Sequence, residues 1–193
     1  MAKKGLNQAV IVDTAAALVE QRGLENVTLH ELADALGVKT ASLYNHLQGM
    51  PELSARLTEL ALARLIETLD AAVQGRTGAP ALLALTDAYR RFAKEQSQLY
   101  RAMLQVQQFA DTRLAELKER FMQLFREILA PYGMTDKVQT HFCRMVRSAL
   151  HGFVSLEAAG FFQYSVDADE SYAFMARQLA DWLTRGEETE QHG

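Results

Sequence analysis

The stretch TLHELADALGVKTASLYNHL, Thr28 to Leu47, gathers side chains that can meet a polyanion. Thr40 and Ser42 carry hydroxyls that can reach phosphate oxygens or base edges. Tyr44 can donate to a phosphate and pack against a sugar, His46 can do the same from the end of the segment, and Asn45 adds an amide. Lys39 is a phosphate partner by charge. These groups read DNA only when a short, rigid helix carries them into the major groove. With one lysine in the set, specific contacts would be largely neutral hydrogen bonds.

The elements that position this set can be read locally. Asn7 is a good N-cap for a first helix, with Ile11, Ala15 and Leu18 on one face and Gly23 suited to its C-terminal turn. Thr28 and Glu31 form a capping box for a second helix, with Val27 and Leu32 as its hydrophobic staple. Leu29, Leu32, Ala33 and Leu36 face inward, and Gly37 ends the helix after barely two turns. Val38 plugs the joint, and KTASLYNH predicts a third helix anchored by Leu43 and continued by Leu47. The QGMP break follows, and Pro51 suits the first turn of a fourth helix. This is helix-turn-helix grammar. Spacing alone leaves both a packed helical hairpin and a DNA reader open. Lys3 and Lys4, in the short arm before the first helix, either reach a groove or phosphate or simply face solvent.

The chain as a whole is 193 residues with 49% hydrophobic residues, a net charge of -4 and one cysteine. Strong helix formers dominate and alternating strand patterns are missing, so the expected fold class is all-α with about nine helices. A three-helix helix-turn-helix DNA-binding domain is expected over 1–50. A larger effector-binding and dimerisation domain is expected over 51–185, connected by the fourth helix, 51–73. Further helices are expected over 81–96, from Ser97, from Asp111, from Thr135 or Asp136 as far as Gln163, and from Asp167 or Asp169 to Thr184. The polar tail, 186–193, is expected to be disordered. The negative net charge does not forbid DNA binding, because a dimer can present a small basic patch on one face and acid on the other.

Other chemistry finds little support. HExxH, a phosphate loop and a nucleophile elbow are all missing, so an enzyme is not expected. Cys143 and five scattered histidines offer no metal-ligand spacing, and no metal or cofactor is expected. Without a secretory segment or a long apolar run, the protein reads as cytoplasmic, with no membrane partner.

The N-terminal segment resembles the DNA-binding domain of the tetracycline-repressor-like (TetR) family of bacterial regulators. The resemblance is carried by AAALVEQRGLENVTLHELADALGV followed by ASLYNHL, over about residues 6 to 60. Gly23 and Thr28 match a Gly-x-x-x-x-Thr segment. Leu43, Tyr44, Asn45 and His46 match a Leu-Tyr-x-His-Phe ending in which Leu47 replaces phenylalanine. The resemblance implies a homodimer on a palindromic double-stranded DNA operator, usually a repressor, released by a small-molecule effector bound in the C-terminal domain. It also brings Thr28 into the DNA-binding set. Two positions depart from the family pattern. Met50 stands where a phosphate-binding lysine is common, and Lys39 where serine is frequent. Gln48, with backbone N–H groups from Gly49 to Glu52, is the expected substitute. LHGFVSLEAAG, Leu150 to Gly160, resembles a subgroup named for a Trp-His-Gly motif, with Leu150 in place of the tryptophan. An activator of the same fold, or a helical protein-interaction module that binds no DNA, are the alternatives.

The second domain is expected to hold an apolar effector site. Its candidate lining is Tyr89, Phe92, Met103, Val106, Phe109, Phe121, Phe125, Phe142 and Met145, with ordinary core as the competing reading. Arg144 and His151 on the eighth helix, near Arg147, can orient an anionic or hydroxylated effector; a surface stripe or ion pair is the other account. The resemblance implies that the last two long helices pair with their twofold mates. The small-residue track Ala149, Gly152, Leu156, Ala159 and Gly160 and the stripe Tyr172, Met175, Leu179, Trp182 and Leu183 are compatible with that, and also with burial inside one protomer.

Overall fold

The computed structural model describes residues 5–105 and 112–185. Helix α1 spans Gln8–Arg22, α2 Leu29–Leu36, α3 Thr40–Leu43, α4 Met50–Val73, α5 Gly78–Glu95, α6 Ser97–Gln105, α7 Thr112–Leu129, α8 Asp136–Ala158 and α9 Ala168–Arg185. The all-α class and the order of short helices before longer ones agree with the sequence reading. No helix among the described residues is long and apolar enough to cross a membrane. Lys3, Lys4, Asp111 and the segment 186–193 lie outside the described residues, as do Val106 and Phe109.

Several helix ends show why the chain stops where it does. Asn7 caps α1, its Oδ1 accepting from Val10 N at 3.0 Å. Gly37 ends α2 in the left-handed region at φ 66, a conformation that carries no Cβ penalty only for glycine. Helix α5 starts at Gly78, ahead of the expected 81, because Tyr132 Oη accepts from Ala79 N at 3.1 Å. A Cβ at Gly78 would lie 2.9 Å from that oxygen, and φ is +63, so glycine is required there. Helix α8 ends at Ala158, short of the expected Gln163. Its C-terminal carbonyls are taken by the turn that follows, with Phe161 N donating to Leu156 O at 3.0 Å and Gly160 N to Glu157 O at 3.0 Å.

The chain divides into two compact units, residues 1–64 with 96–117, and residues 65–95 with 118–193. These differ from the expected sequence domains: α4 is divided, its residues up to Arg64 joining the helix-turn-helix segment, and α6 and the first turns of α7, to Leu117, belong there too. In the first unit Ile11, Ala15, Val19, Leu32, Ala33, Leu43, Leu47, Leu53, Leu57 and Ala61 form one buried cluster, joined by Leu99 and Ala102 of α6. Each short helix is marginal alone and is held by this shared burial.

In the second unit α5 packs against both α8 and α9. Arg90 of α5 joins all three. Its Nε donates to Glu157 Oε2 at 3.0 Å, and its Nη2 to Glu157 Oε1 and, at 2.7 Å, to Asp169 Oδ1. The guanidinium also lies 4.7 Å from the centroid of the Tyr172 ring and 5.6 Å from that of Phe153. Lys94 Nζ adds a 3.2 Å contact to Glu157. The Arg90 hydrogen bond holds the Glu157 carboxyl below the usual carboxylate range, against the opposing effect of burial. A group with a depressed folded pKa contributes stability that is full above its unfolded value, near 4.5, and is lost as pH falls through the lower folded value. Arg90→Met should therefore destabilise the second unit by roughly 2–4 kcal/mol at neutral pH. The gap between wild type and variant should close as pH drops below the ordinary glutamate range. Urea unfolding of both proteins across that pH range checks it; a gap independent of pH would remove Glu157 from the account.

Candidate nucleic-acid interface

The joint between α2 and α3 fixes which side chains face outward. Gly37 N donates to Asp34 O and Val38 N to Ala33 O, both at 3.0 Å, so the chain reverses within two residues. Helix α3 itself is a single turn. After it, His46 N and Leu47 N both donate to Leu43 O, at 2.8 and 2.9 Å, and the coiled path continues as turn to Leu47. The expected longer helix KTASLYNH is thus Thr40–Leu43 followed by turn. Leu43 and Leu47 are 0% and 2% exposed, whereas Tyr44 is 60% exposed. Lys39, Asn45 and Gln48 are exposed, and Thr40, Ser42 and His46 are half-buried. All seven polar candidates fall between the α2–α3 joint and the start of α4.

Thr28 lies apart from them, at the start of α2. Its hydroxyl accepts from Glu31 N at 3.2 Å and donates to Glu31 Oε2 at 3.0 Å, and its own N–H donates to the same oxygen at 3.0 Å. Those hydrogen bonds hold the exposed Glu31 carboxyl below its usual range, the Thr28 hydroxyl contributing most. A phosphate oxygen can only accept, and here both Thr28 donors are directed at Glu31 Oε2. In this structure Thr28 acts as the cap of α2.

The start of α4 carries a carboxylate of its own. Gln48 N donates to Glu52 Oε2 at 2.7 Å, and Gln8 Nε2 to Glu52 Oε1 at 3.4 Å. Arg56 lies 3.6 Å from the same carboxylate and 3.2 Å from Glu59. Pro51 has no N–H. The Glu52 carboxylate thus takes the Gln48 N–H just ahead of α4, beside the N–H groups expected to receive phosphate. Sequence reasoning missed Glu52, although its position in the first turn of α4, four residues after Gln48, was a visible signal.

The effector candidates are dispersed. Tyr89, Phe92, Phe121, Phe125 and Phe142 are buried in the second unit. Phe121 packs on Phe125 with centroids 5.4 Å apart, and Phe142 stacks on Trp182 at 4.9 Å. Met103 packs against the core of the first unit instead, because α6 belongs there. Arg144 and Met145 are exposed, on the outer side of α8, and His151 is half-buried with Nδ1 3.4 Å from Ser155 Oγ. Arg144, Met145 and Met103 are thus withdrawn from a common lining. A separate cleft of about 580 Å³ lies between the end of α4, the loop 74–77 and α7, and none of the effector candidates lines it. Among the described residues no group of three or more His, Cys, Asp or Glu side chains gathers as a metal site.

The dimerisation candidates split in two. Leu156, Ala159 and Gly160 are exposed; Ala149, Gly152 and Met175 are half-buried, and Trp182 is partly exposed. Tyr172, Leu179 and Leu183 are buried within the protomer, and Tyr172 Oη donates to Thr86 O of α5 at 2.6 Å. Those three serve the protomer's own core, because the apolar stripe of α9 turns toward α5. Met145, Phe161 and Phe174 are exposed apolar side chains that the sequence reading left out of this set.

Comparison with known proteins decides the class of the molecule. Residues 11–57 match the model of bacterial regulatory proteins of the tetR family, and residues 82–179 a tetracyclin repressor-like C-terminal domain. YobS of Bacillus subtilis, an uncharacterised HTH-type transcriptional regulator, is 34% identical over 93% of both chains. The chain belongs to the tetR family of bacterial regulatory proteins. As a member it is a DNA-binding transcriptional regulator and not an enzyme. A second uncharacterised HTH-type regulator, from Mycobacterium tuberculosis, is 28% identical and covers 93% of this chain and 83% of its own. In fold, the regulator is similar to a protein of unknown function from Rhodococcus sp. RHA1, with TM-score 0.78, 22% identity and coverage of 92% and 95% of the two chains. It is also similar to a TetR variant from Acinetobacter baumannii solved with minocycline, with TM-score 0.70, 20% identity and coverage of 94% and 98%.

The carboxylate at the start of α4 gives a test of where DNA lies on the regulator. Glu52→Gln keeps an acceptor for Gln48 N and removes one negative charge. It should strengthen binding to operator and scrambled duplex alike, by about fivefold at low salt. Anisotropy titrations at fixed salt measure this; unchanged affinity for both duplexes would mean that the α4 start is remote from phosphate.

Proposed function

We propose that the regulator is a homodimeric repressor that binds a palindromic operator through α3 and the turn after it, and is released by a small, mostly apolar effector held in the second unit. The observation that carries the DNA-reading part is the division at α3. Leu43 and Leu47 are buried while Tyr44, Asn45 and Lys39 stand out from the same short segment. A rigid inner face with a polar outer face is what a major-groove reader needs. Dimerisation is supported by the exposed apolar side chains Met145, Leu156, Phe174 and Trp182 on α8 and α9. The small track at Ala149 and Gly152 leaves room there, since nothing lies within 4 Å of a Cβ at Gly152. An effector site in the second unit is supported by its store of aromatic side chains around Phe92, Phe121, Phe125 and Phe142. The Trp-His-Gly subgroup reading is supported by Leu150, which is 1% exposed and fills the place of the tryptophan beside half-buried His151 and Gly152.

Three substitutions separate folding from reading. Leu43→Ala should destabilise the first unit by roughly 2–5 kcal/mol and lose DNA indirectly. Tyr44→Phe keeps the ring and should weaken operator and random duplex nearly equally, because a phosphate contact carries no sequence. Thr40→Ala should change preference at one base pair by about 1–3 kcal/mol. Titration of each folded variant against operator and scrambled duplex at constant salt decides among them. If neither outward variant alters either affinity, α3 is not the reading element.

The dimer is tested separately. Phe174→Glu places a charge on the exposed apolar face and should convert the regulator to a folded monomer at micromolar concentration, as read by sedimentation equilibrium. A wild-type monomer under the same conditions would sink the dimer itself.

A further inference from the structure

Helix α6 follows α5 of the second unit along the chain, yet it is built into the first. Leu99 and Ala102 are buried in the cluster that also holds Ile11, Leu32 and Leu43, and Met103 lies against that cluster. The first turn of a helix leaves N–H groups with no partner inside the helix. The residue before α6 is Gln96, a poor cap. Glu20 of α1 supplies the missing acceptors: its Oε1 accepts from Gln98 N at 3.3 Å and its Oε2 from Leu99 N at 3.0 Å. The carboxylate's charge also suits the positive end of the helix. Glu20 therefore does for α6 from a distant helix what Thr28 does for α2 from the adjoining residue.

We propose that Glu20 is a positioning residue that couples α6 to the DNA-reading helices. This rests on the reading of the protein as an effector-released DNA-binding regulator. Its carboxylate makes the seating of α6 and the seating of α1 one equilibrium. Helix α6 continues directly from α5, so a change in the second unit that draws on α6 is felt at Glu20. From α1 it passes to Leu43 through the core they share. Coupling of this kind is reciprocal: DNA held by α3 must also tighten α6. An ordinary stabilising cap would slow opening of α6 equally with and without DNA.

The experiment is hydrogen exchange on the full chain, free and saturated with an operator duplex selected against the wild type. In the wild type, exchange in α6 should slow on DNA binding together with exchange in α2. In Glu20→Ala, the amides of Gln98 and Leu99 should exchange about tenfold faster without DNA. The DNA-dependent slowing in α6 should disappear while that in α2 persists. Glu20→Gln retains one acceptor oxygen, should show part of the DNA-dependent slowing, and serves as the second variant if Glu20→Ala folds poorly. Equal DNA-dependent slowing of α6 in wild type and variants would overturn the proposal and leave Glu20 as a plain cap. No slowing of α6 in the wild type, with α2 protected, would overturn it as well. A wild type that binds no duplex and protects neither helix would instead overturn the regulator reading on which the proposal stands.

Discussion

Burial of Leu43 is the constraint on which the helix-turn-helix segment depends. Helix α3 has one turn and α2 barely two, and neither length is stable by itself in water. Leu43 and Leu47 enter a core built by α1, α2, α4 and α6, and this fixes the rotation of the segment about its own axis. Once that rotation is set, Tyr44 and Asn45 have only the outside left. The polar face is a consequence of apolar packing, and its rigidity comes from the same source. Large-to-small changes at such a site cost both the lost transfer energy and the cavity left behind. The reading face and the fold are thus linked through one side chain.

A second theme is the use of the regulator's own carboxylates. With a net charge of -4, the chain carries more acid than base, an awkward balance near a phosphate backbone. Near the first unit's helix ends, several acids are tied to backbone N–H groups. Glu31 closes the capping box, Glu52 takes the Gln48 N–H, and Glu20 takes two N–H groups of α6. In the second unit Glu157 is held by Arg90 and Lys94. Each arrangement satisfies a donor that would otherwise be left to water. Glu52 also places a negative charge in the first turn of α4, tied to the Gln48 N–H.

The second unit shows how the same residue types serve two ends. Phe92, Phe125 and Phe142 are buried, while Phe161 and Phe174 are exposed. Phe161 stands in the segment after α8, and Phe174 is set outward by its phase on α9. On α9, Tyr172, Ala176, Leu179 and Leu183 turn toward α5, and Phe174 falls on the opposite side with the exposed edge of Trp182. Arg90 sits where α5 meets the end of α8 and the start of α9, beside the edge-to-face pair Phe153 and Tyr172 and bonded to Glu157 and Asp169. It ties α5 to the end of α8 and the start of α9.

What the sequence determined by itself was local. The Thr28–Glu31 box, the left-handed turn at Gly37, the Asn7 cap and the inward placing of Leu43 all depend on residues within one or two turns of each other. Spacing and side-chain type are enough to specify such features, and the pattern was distinctive enough to carry the family. The partners of Glu20 and Arg90 were not legible, because they lie 78, 79, 67 and 79 residues away and no periodicity links them. The same reason hid the membership of α6 in the first unit, the withdrawal of Met103 from the second, and the use of Tyr172, Leu179 and Leu183 inside the protomer. An apolar stripe specifies that a helix must bury one face. Only the tertiary structure decides against what, because burial is non-directional and the neighbour is chosen by the packing of the whole chain.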